Sequence, residues 1–113
     1  MPADLMFRAF ADETRLRLLH LLSRREELCV CDLQKVLGLS QPKVSRHLAY
    51  LRRAGLVTAR RQGLWKHYAL AAPRGGFHRG LVGCLRGCFA DAEVLRRDRR
   101  ALDRLGARRR ACR

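Results

Sequence analysis

Between Lys35 and Gly87 the chain has no aspartate or glutamate. Lys35, Lys43, Arg46, Arg52, Arg53, Arg60, Arg61, Lys66, Arg74, Arg79 and Arg86 all fall in that interval. A block of one sign this long excludes a self-neutralised surface and reads as the footprint of a polyanion, with nucleic acid ahead of an anionic membrane. Lysine is also scarce, so the net charge of +15 is carried almost wholly by arginine. No run approaches the ~18 apolar residues of a membrane span, and "MPADLMFRAF" has no apolar stretch behind a basic start. No membrane association and a cytoplasmic location are therefore expected. No Ser/His/Asp set, phosphate-cradling glycine loop or paired carboxylates appear, which argues against an enzyme and an organic cofactor. The five cysteines are an odd number. Without an export signal they suit a metal, metalloid or redox role better than a disulfide scaffold, and inert burial is the bland reading for any one of them.

What is present is helical punctuation. The length of 113 residues fits one domain. We divide it into a core over 1–72 and, over 73–113, a linker, a dimerisation or C-terminal helix and a basic tail. Leu5, Met6 and Phe10 suggest a first short helix. Asp12 is the N-cap of a second, with Leu16, Leu19 and Leu22 at helical spacing. Ser23 to Glu27 is polar enough for a connection. Asp32 to Leu37 is a brief helix with Leu33, Val36 and Leu37 inward, and Gly38 closes it. In "LSQPKVSRHLAYLRRAGLV", Ser40 is an N-cap, Pro42 sits in the first turn, and Val44, Leu48 and Leu51 repeat at i, i+4, i+7 before Gly55. Two helices joined by so tight a turn match a helix-turn-helix.

After Gly55, "LVTARRQGLWKHYAL" reads as two strands around Gln62-Gly63, with Val57 and Trp65 supplying bulk, and hence as a basic wing. "AAPRGG" is a linker. Phe77, Leu81, Cys84, Leu85 and Cys88 share one helical face, with Gly80, Gly83 and Gly87 on the other. Asp91 to Leu105 is a charged helix with Val94, Leu95, Leu102 and Leu105 as its apolar positions, and "ARRRACR" is a frayed tail. The expected fold is mostly α with a β-hairpin wing, a winged helix-turn-helix.

If Val44, Leu48 and Leu51 face the core, then Pro42, Lys43, Arg46, Ala49, Tyr50 and Arg53 face away, with Gln41 and Ser45 at the N-terminal edge. Gln41 can pair with adenine and Arg46 with guanine, Ser45 can touch base or phosphate, and Lys43 suits phosphate. Arg60, Arg61 and Lys66 on the wing would grip backbone or minor groove. The alternative is a merely solvated charged face. His47 and His67 read as structural or minor phosphate contacts.

"ADETRLRLLHLL", "ELCVCDL", "LSQPKVSRHLAYLRRAGLV" and "RRQGLWKHYAL" resemble, in order and spacing, the arsenical-resistance repressor branch of the ArsR/SmtB family, over about Phe7 to Leu70. The resemblance implies a homodimeric winged-helix repressor that leaves double-stranded operator DNA when a metal or metalloid binds. In that branch a C-V-C-D-L-C motif binds trivalent arsenic or antimony through its thiolates. Cys29 and Cys31 match its first two cysteines, and Gln41, Lys43, Ser45 and Arg46 match its DNA-contacting segment. Gln34 stands where the third cysteine would be.

Soft thiolates suit As(III) or Sb(III), and a helix N-terminus favours thiolate. Positions i and i+2 of a helix point to nearly opposite sides, so shared coordination by Cys29 and Cys31 is expected to unwind the turn at Val30 to Leu33. Cys84 and Cys88, at i, i+4, are candidates for further ligands or a second site, with packing in a dimer interface as the alternative. A zinc or cadmium sensor would want a His partner that His78 lacks. A thiol redox switch and a non-sensing architectural DNA- or RNA-binding protein are the other readings.

Overall fold

The computed structural model describes residues 3–87 and 91–106. Cys88 and the expected frayed tail with Cys112 lie outside them. Helix α1 (Ala3–Phe10) bends into α2 (Glu13–Leu22), whose first turn is closed by the Asp12 carboxylate accepting from the Arg15 N–H at 3.0 Å. Helix α3 (Val30–Leu37) ends on Gly38 at φ 70°, the left-handed cap that glycine adopts without a Cβ clash. Helix α4 (Gln41–Arg53) follows at once, and the Ser40 hydroxyl accepts from the Lys43 N–H at 3.3 Å. The helix-turn-helix thus forms where its caps place it.

The hairpin is β2 (Val57–Gln62) and β3 (Trp65–Leu70), antiparallel from Val57 opposite Leu70 to Gln62 opposite Trp65. Its turn residues are Gly63 and Leu64, one position later than expected, because Gln62 still pairs and Gly63 takes φ 61°. Trp65 is exposed and supplies no packing bulk. A two-residue strand β1 (Leu28–Cys29), which the sequence did not announce, adds to the other edge of β3, so the sheet order is β1-β3-β2. The arrangement is a mostly helical winged helix, as expected.

The core is leucine. Leu18, Leu19, Leu21 and Leu22 of α2 are buried together with Leu33 and Leu37, Val44, Leu48 and Leu51, and Leu56, Val57 and Tyr68. The expected one-sided stripe of α2 is incomplete: its second half is buried all round, while Leu16 is only half-buried. The reason is that α2 is central, with α1, α4 and α6 all packed on it.

Helix α5 (Gly76–Gly87) buries His78, Val82 and Leu85. This face is rotated from the expected one: Leu81 and Cys84 are half-buried and Phe77 is exposed, edge-on to the exposed Phe7 ring at 5.2 Å. Helix α6 (Glu93–Gly106) buries Leu95 and Leu102, with Asp98 between them. Its carboxylate takes Arg17 Nε at 2.8 Å and Nη2 at 3.0 Å, a two-pronged pair that clamps α6 to α2. Removing either partner would strand a buried charge. No helix among the described residues is long and apolar enough to cross a membrane.

His20, 2% exposed, ties three helices together. Its Nδ1 lies 3.1 Å from the Leu85 carbonyl, which can only accept, so Nδ1 carries the proton and Nε2 is left to accept from Arg99 Nη1 at 3.3 Å. Burial, opposed by the Leu85 carbonyl and reinforced by Arg99 and Arg24, holds its pKa below the ordinary 6.5. On acidification the unfolded chain therefore takes up this proton first, and stability drains away as the pH falls below 6.5. Urea midpoints measured across that range should decline with falling pH, and the decline should be shallower for His20→Gln; an unchanged slope would show that His20 does not carry it.

Candidate functional site

The two cysteines straddle a change of backbone conformation. Cys29 is the last residue of β1 and the N-cap of α3, extended at φ −82° and ψ 158°, while Cys31 is the second residue of the helix. Within one helix their side chains would diverge. Across a strand-to-helix junction they converge, and the sulfurs are 2.9 Å apart. The unwinding expected at Val30 to Leu33 is thus not needed to bring them together, because the helix begins at Val30 and Cys29 was never inside it.

Asp32 completes a group that sequence reasoning missed. Donor atoms of Cys29, Cys31 and Asp32 all lie within 4.8 Å of one another, and Asp32 is 3% exposed. The signal lies in "CVCD" itself, where the aspartate passes for a plain helix-start residue. Two sulfurs and a carboxylate make a soft pair with one hard neighbour, so the sulfurs fit a thiophilic ion and the carboxylate adds little for it. Cys84 is not in this group: it sits half-buried on α5. Its expected companion Cys88 is outside the described residues.

Cys29 also belongs to the wing. In the β1–β3 ladder Leu28 pairs with Tyr68 and Cys29 with His67. Immediately before them, Glu27 receives Arg60 of β2 through Nη2 at 2.5 Å and Nε at 2.7 Å, and His67 Nδ1 stands 3.9 Å from the same carboxylate. Arg60, expected on DNA, is instead held on Glu27, with its remaining nitrogen on Gln62 at 3.2 Å. One backbone segment thus carries a thiol of the cluster, a wing strand partner and a wing salt bridge.

The remaining basic residues divide in two. Gln41, Ser45, Arg52 and Arg53 of α4 face Arg61 and Lys66 of the wing across a cleft of about 760 Å³. In it Gln41 Nε2 donates to Ser45 Oγ at 2.7 Å. Lys43 and Arg46 are exposed on α4 and line no part of that cleft. Tyr50 is drawn away from it, with the Arg15 guanidinium 4.0 Å from its ring centroid and Arg53 at 5.9 Å. His47 is half-buried 3.9 Å from the Asp12 cap, and burial outweighs that carboxylate to lower its pKa. It is therefore an α2–α4 contact.

A family model described as "Bacterial regulatory protein, arsR family" matches residues 12–59. The chain is 58% identical over 66 residues to the arsenical resistance operon repressor of Escherichia coli K12, a match that covers 58% of this chain and 56% of that protein. The ArsR family transcriptional regulator RHA00566 is 30% identical to this chain at a TM-score of 0.55, with 59% of this chain and 68% of that one covered. The chain belongs to the ArsR family. Solved structures superpose on it: HlyU from Vibrio cholerae N16961 has a TM-score of 0.69 at 34% identity, covering 79% of this chain and 92% of that one. The AntR antimony-specific transcriptional repressor has a TM-score of 0.63 at 33% identity, covering 77% and 76%. The ArsR-family match includes the cysteine junction, α4 and the first part of the wing. The chain matches little more than half the length of the E. coli repressor, 56% of it. Members of the family are transcriptional regulators, not a class of enzymes.

The Arg60 hydrogen bonds, against a small opposing effect of burial, hold the Glu27 carboxyl below the ordinary glutamate range. A depressed carboxylate stabilises the fold above its ordinary pKa and loses that contribution as the pH falls through the lowered value. Carboxyl-selective NMR titration should give Glu27 a midpoint below the ordinary glutamate range, and Arg60→Ala should return it to that range. A normal Glu27 midpoint in the native chain would show that the clasp does not persist in solution.

Proposed function

We propose that the chain is a trivalent-arsenic (arsenite or antimonite) responsive repressor that binds operator DNA as a homodimer and is released when Cys29 and Cys31 coordinate the metalloid. The observation that carries this reading is the 2.9 Å approach of the two sulfurs at a junction whose backbone is also a strand of the wing sheet. The names of the E. coli repressor and of AntR support arsenic and antimony as the inducer class. Exposed Leu5, Phe7 and Phe77, on α1 and α5, offer an apolar surface over which two copies can join.

In DNA-bound form, α4 would enter the major groove, with Gln41, Ser45 and Arg46 at base edges and Lys43, Arg61 and Lys66 on phosphates. Coordination draws both sulfurs onto one centre and fixes the Cys29 backbone relative to α3. Because Cys29 pairs with His67, that constraint bears on β3 and on the wing residues opposite it. Induction requires only that the coordinated state bind DNA more weakly than the uncoordinated one. Tyr50, packed under Arg15, is a poorer candidate for DNA than expected, and Arg60 reaches phosphate only if it leaves Glu27.

A second reading has one specific observation in its favour: sulfurs this close are also placed for oxidation to a disulfide, with two electrons and two protons passing to an oxidant such as peroxide. Fluorescence anisotropy of an operator duplex, titrated separately with arsenite, zinc and peroxide, separates the two. Arsenite should release the native protein, while Cys29→Ser and Cys31→Ser should each keep the DNA and need at least ~10-fold more arsenite, in keeping with a coupling free energy of a kcal/mol or more. Cys84→Ser should behave as native. Tight arsenite binding with operator affinity unchanged would refute the proposal, and release by peroxide alone would transfer it to the redox reading.

A further inference from the structure

Helix α6 carries three acidic residues, and each is engaged by an arginine that does not face the α3–α6 groove as a bare charge. Asp98 holds Arg17, Asp103 meets Arg25 at 3.3 Å, and Glu93 pairs with Arg96. Among the described residues Arg97, Arg100 and Arg104 have no carboxylate partner, and neither does Lys35 across from them on α3. These four line a groove between α3 and α6, made of two hollows of about 420 and 200 Å³ that share Val36, Ala101 and Arg104. None of its lining residues lines the cleft between α4 and the wing.

We propose that this groove is a second contact for duplex DNA, which takes the phosphate backbone beyond the segment read by α4 and the wing. Charge chooses the class of ligand: Arg17 and Asp98 also line the larger hollow but neutralise each other, which leaves four further cations facing one concavity. Spacing suits a nucleic-acid strand. Arg97 to Arg104 spans about 10 Å along the helix axis, close to the axial rise of about three phosphate-to-phosphate steps on one strand. Position supports the same partner, since the groove begins on α3, the helix that crosses the DNA backbone in helix-turn-helix proteins. A protein partner would want an apolar anchor there, and the exposed large apolar residues Leu5, Phe7, Leu64, Trp65 and Phe77 all lie elsewhere. No base is read by this groove. Its contribution is affinity and footprint length.

The test compares the native chain with the triple variant Arg97→Gln, Arg100→Gln, Arg104→Gln, which leaves the three α6 ion pairs intact. Three duplexes are used: the operator trimmed to the segment that the triple variant protects from nuclease, the same operator lengthened by about one helical turn (~10 bp) on each side, and a random sequence of the longer length. The native chain should bind the longer operator at least tenfold tighter than the trimmed one, and the variant should lose that gain while holding the trimmed duplex within about twofold. On the random duplex the variant's salt slope should fall by about 2 to 3, at roughly 0.9 per lost phosphate contact. The matching Arg→Lys triple should keep the gain, which guards against a merely misfolded α6.

An equal gain from lengthening in native and variant chains would overturn the proposal. So would an equal loss by the variant on both operator lengths, or a salt slope of the variant on the random duplex equal to that of the native chain. The random duplex reports on the groove without any operator or inducer, so failure of the repressor reading and failure of this one remain distinct.

Discussion

One backbone transition organises the site: the chain is extended through Cys29 and helical from Val30. Two consequences follow from the same pair of dihedral angles. The extended residue turns its sulfur toward that of Cys31, which a continuous helix would forbid, and it presents its backbone edge to β3. A helix start usually draws on a side-chain cap, yet Cys29 makes no capping hydrogen bond. The junction is held instead by the β1–β3 ladder and by the Glu27–Arg60 pair.

That arrangement alters how a bound ion would be felt at DNA. An unwinding helix would pass its effect to α4 through the α3–α4 packing. A site already assembled passes it through the strand ladder, where Cys29 lies opposite His67 and β3 in turn lies opposite Arg60 and Arg61. On the proposed reading the wing would be the moving part, with α4 a fixed reader. Charge is divided along similar lines. The acidic residues of the turn before β1 and of α6 engage selected arginines at Glu27, Asp98 and Asp103, and the interval from Lys35 to Gly87 leaves its other cations to face outward.

Much of this was legible in the sequence because caps and periodicity are local. Asp12, Ser40 and Gly38 act as the sequence suggests, and Val44, Leu48 and Leu51 are the buried stripe of α4. What was hidden depends on distant contacts. A two-residue strand has no periodicity to read, and β1 exists only because β3 offers it an edge. The all-round burial of α2 follows from α6, which lies some eighty residues away in the chain, and the rotated face of α5 follows the docking of Leu85 on His20. The helical face of Tyr50 and the wing position of Arg60 point them at DNA, and their partners Arg15 and Glu27 come from other elements. Asp32 escapes notice because a helix-start aspartate already has an ordinary explanation.

Amide hydrogen exchange with and without arsenite tests the central claim most directly. The amides of Gln34 and Lys35, whose helical acceptors are the carbonyls of Val30 and Cys31, should keep their protection on arsenite addition, while protection changes along β1 and β3 at Leu28, His67 and Tyr68. Loss of protection at Gln34 and Lys35 with the β1–β3 ladder unaltered would mean that the helix opens to make the site, which contradicts a pair of sulfurs already assembled at the strand-to-helix junction.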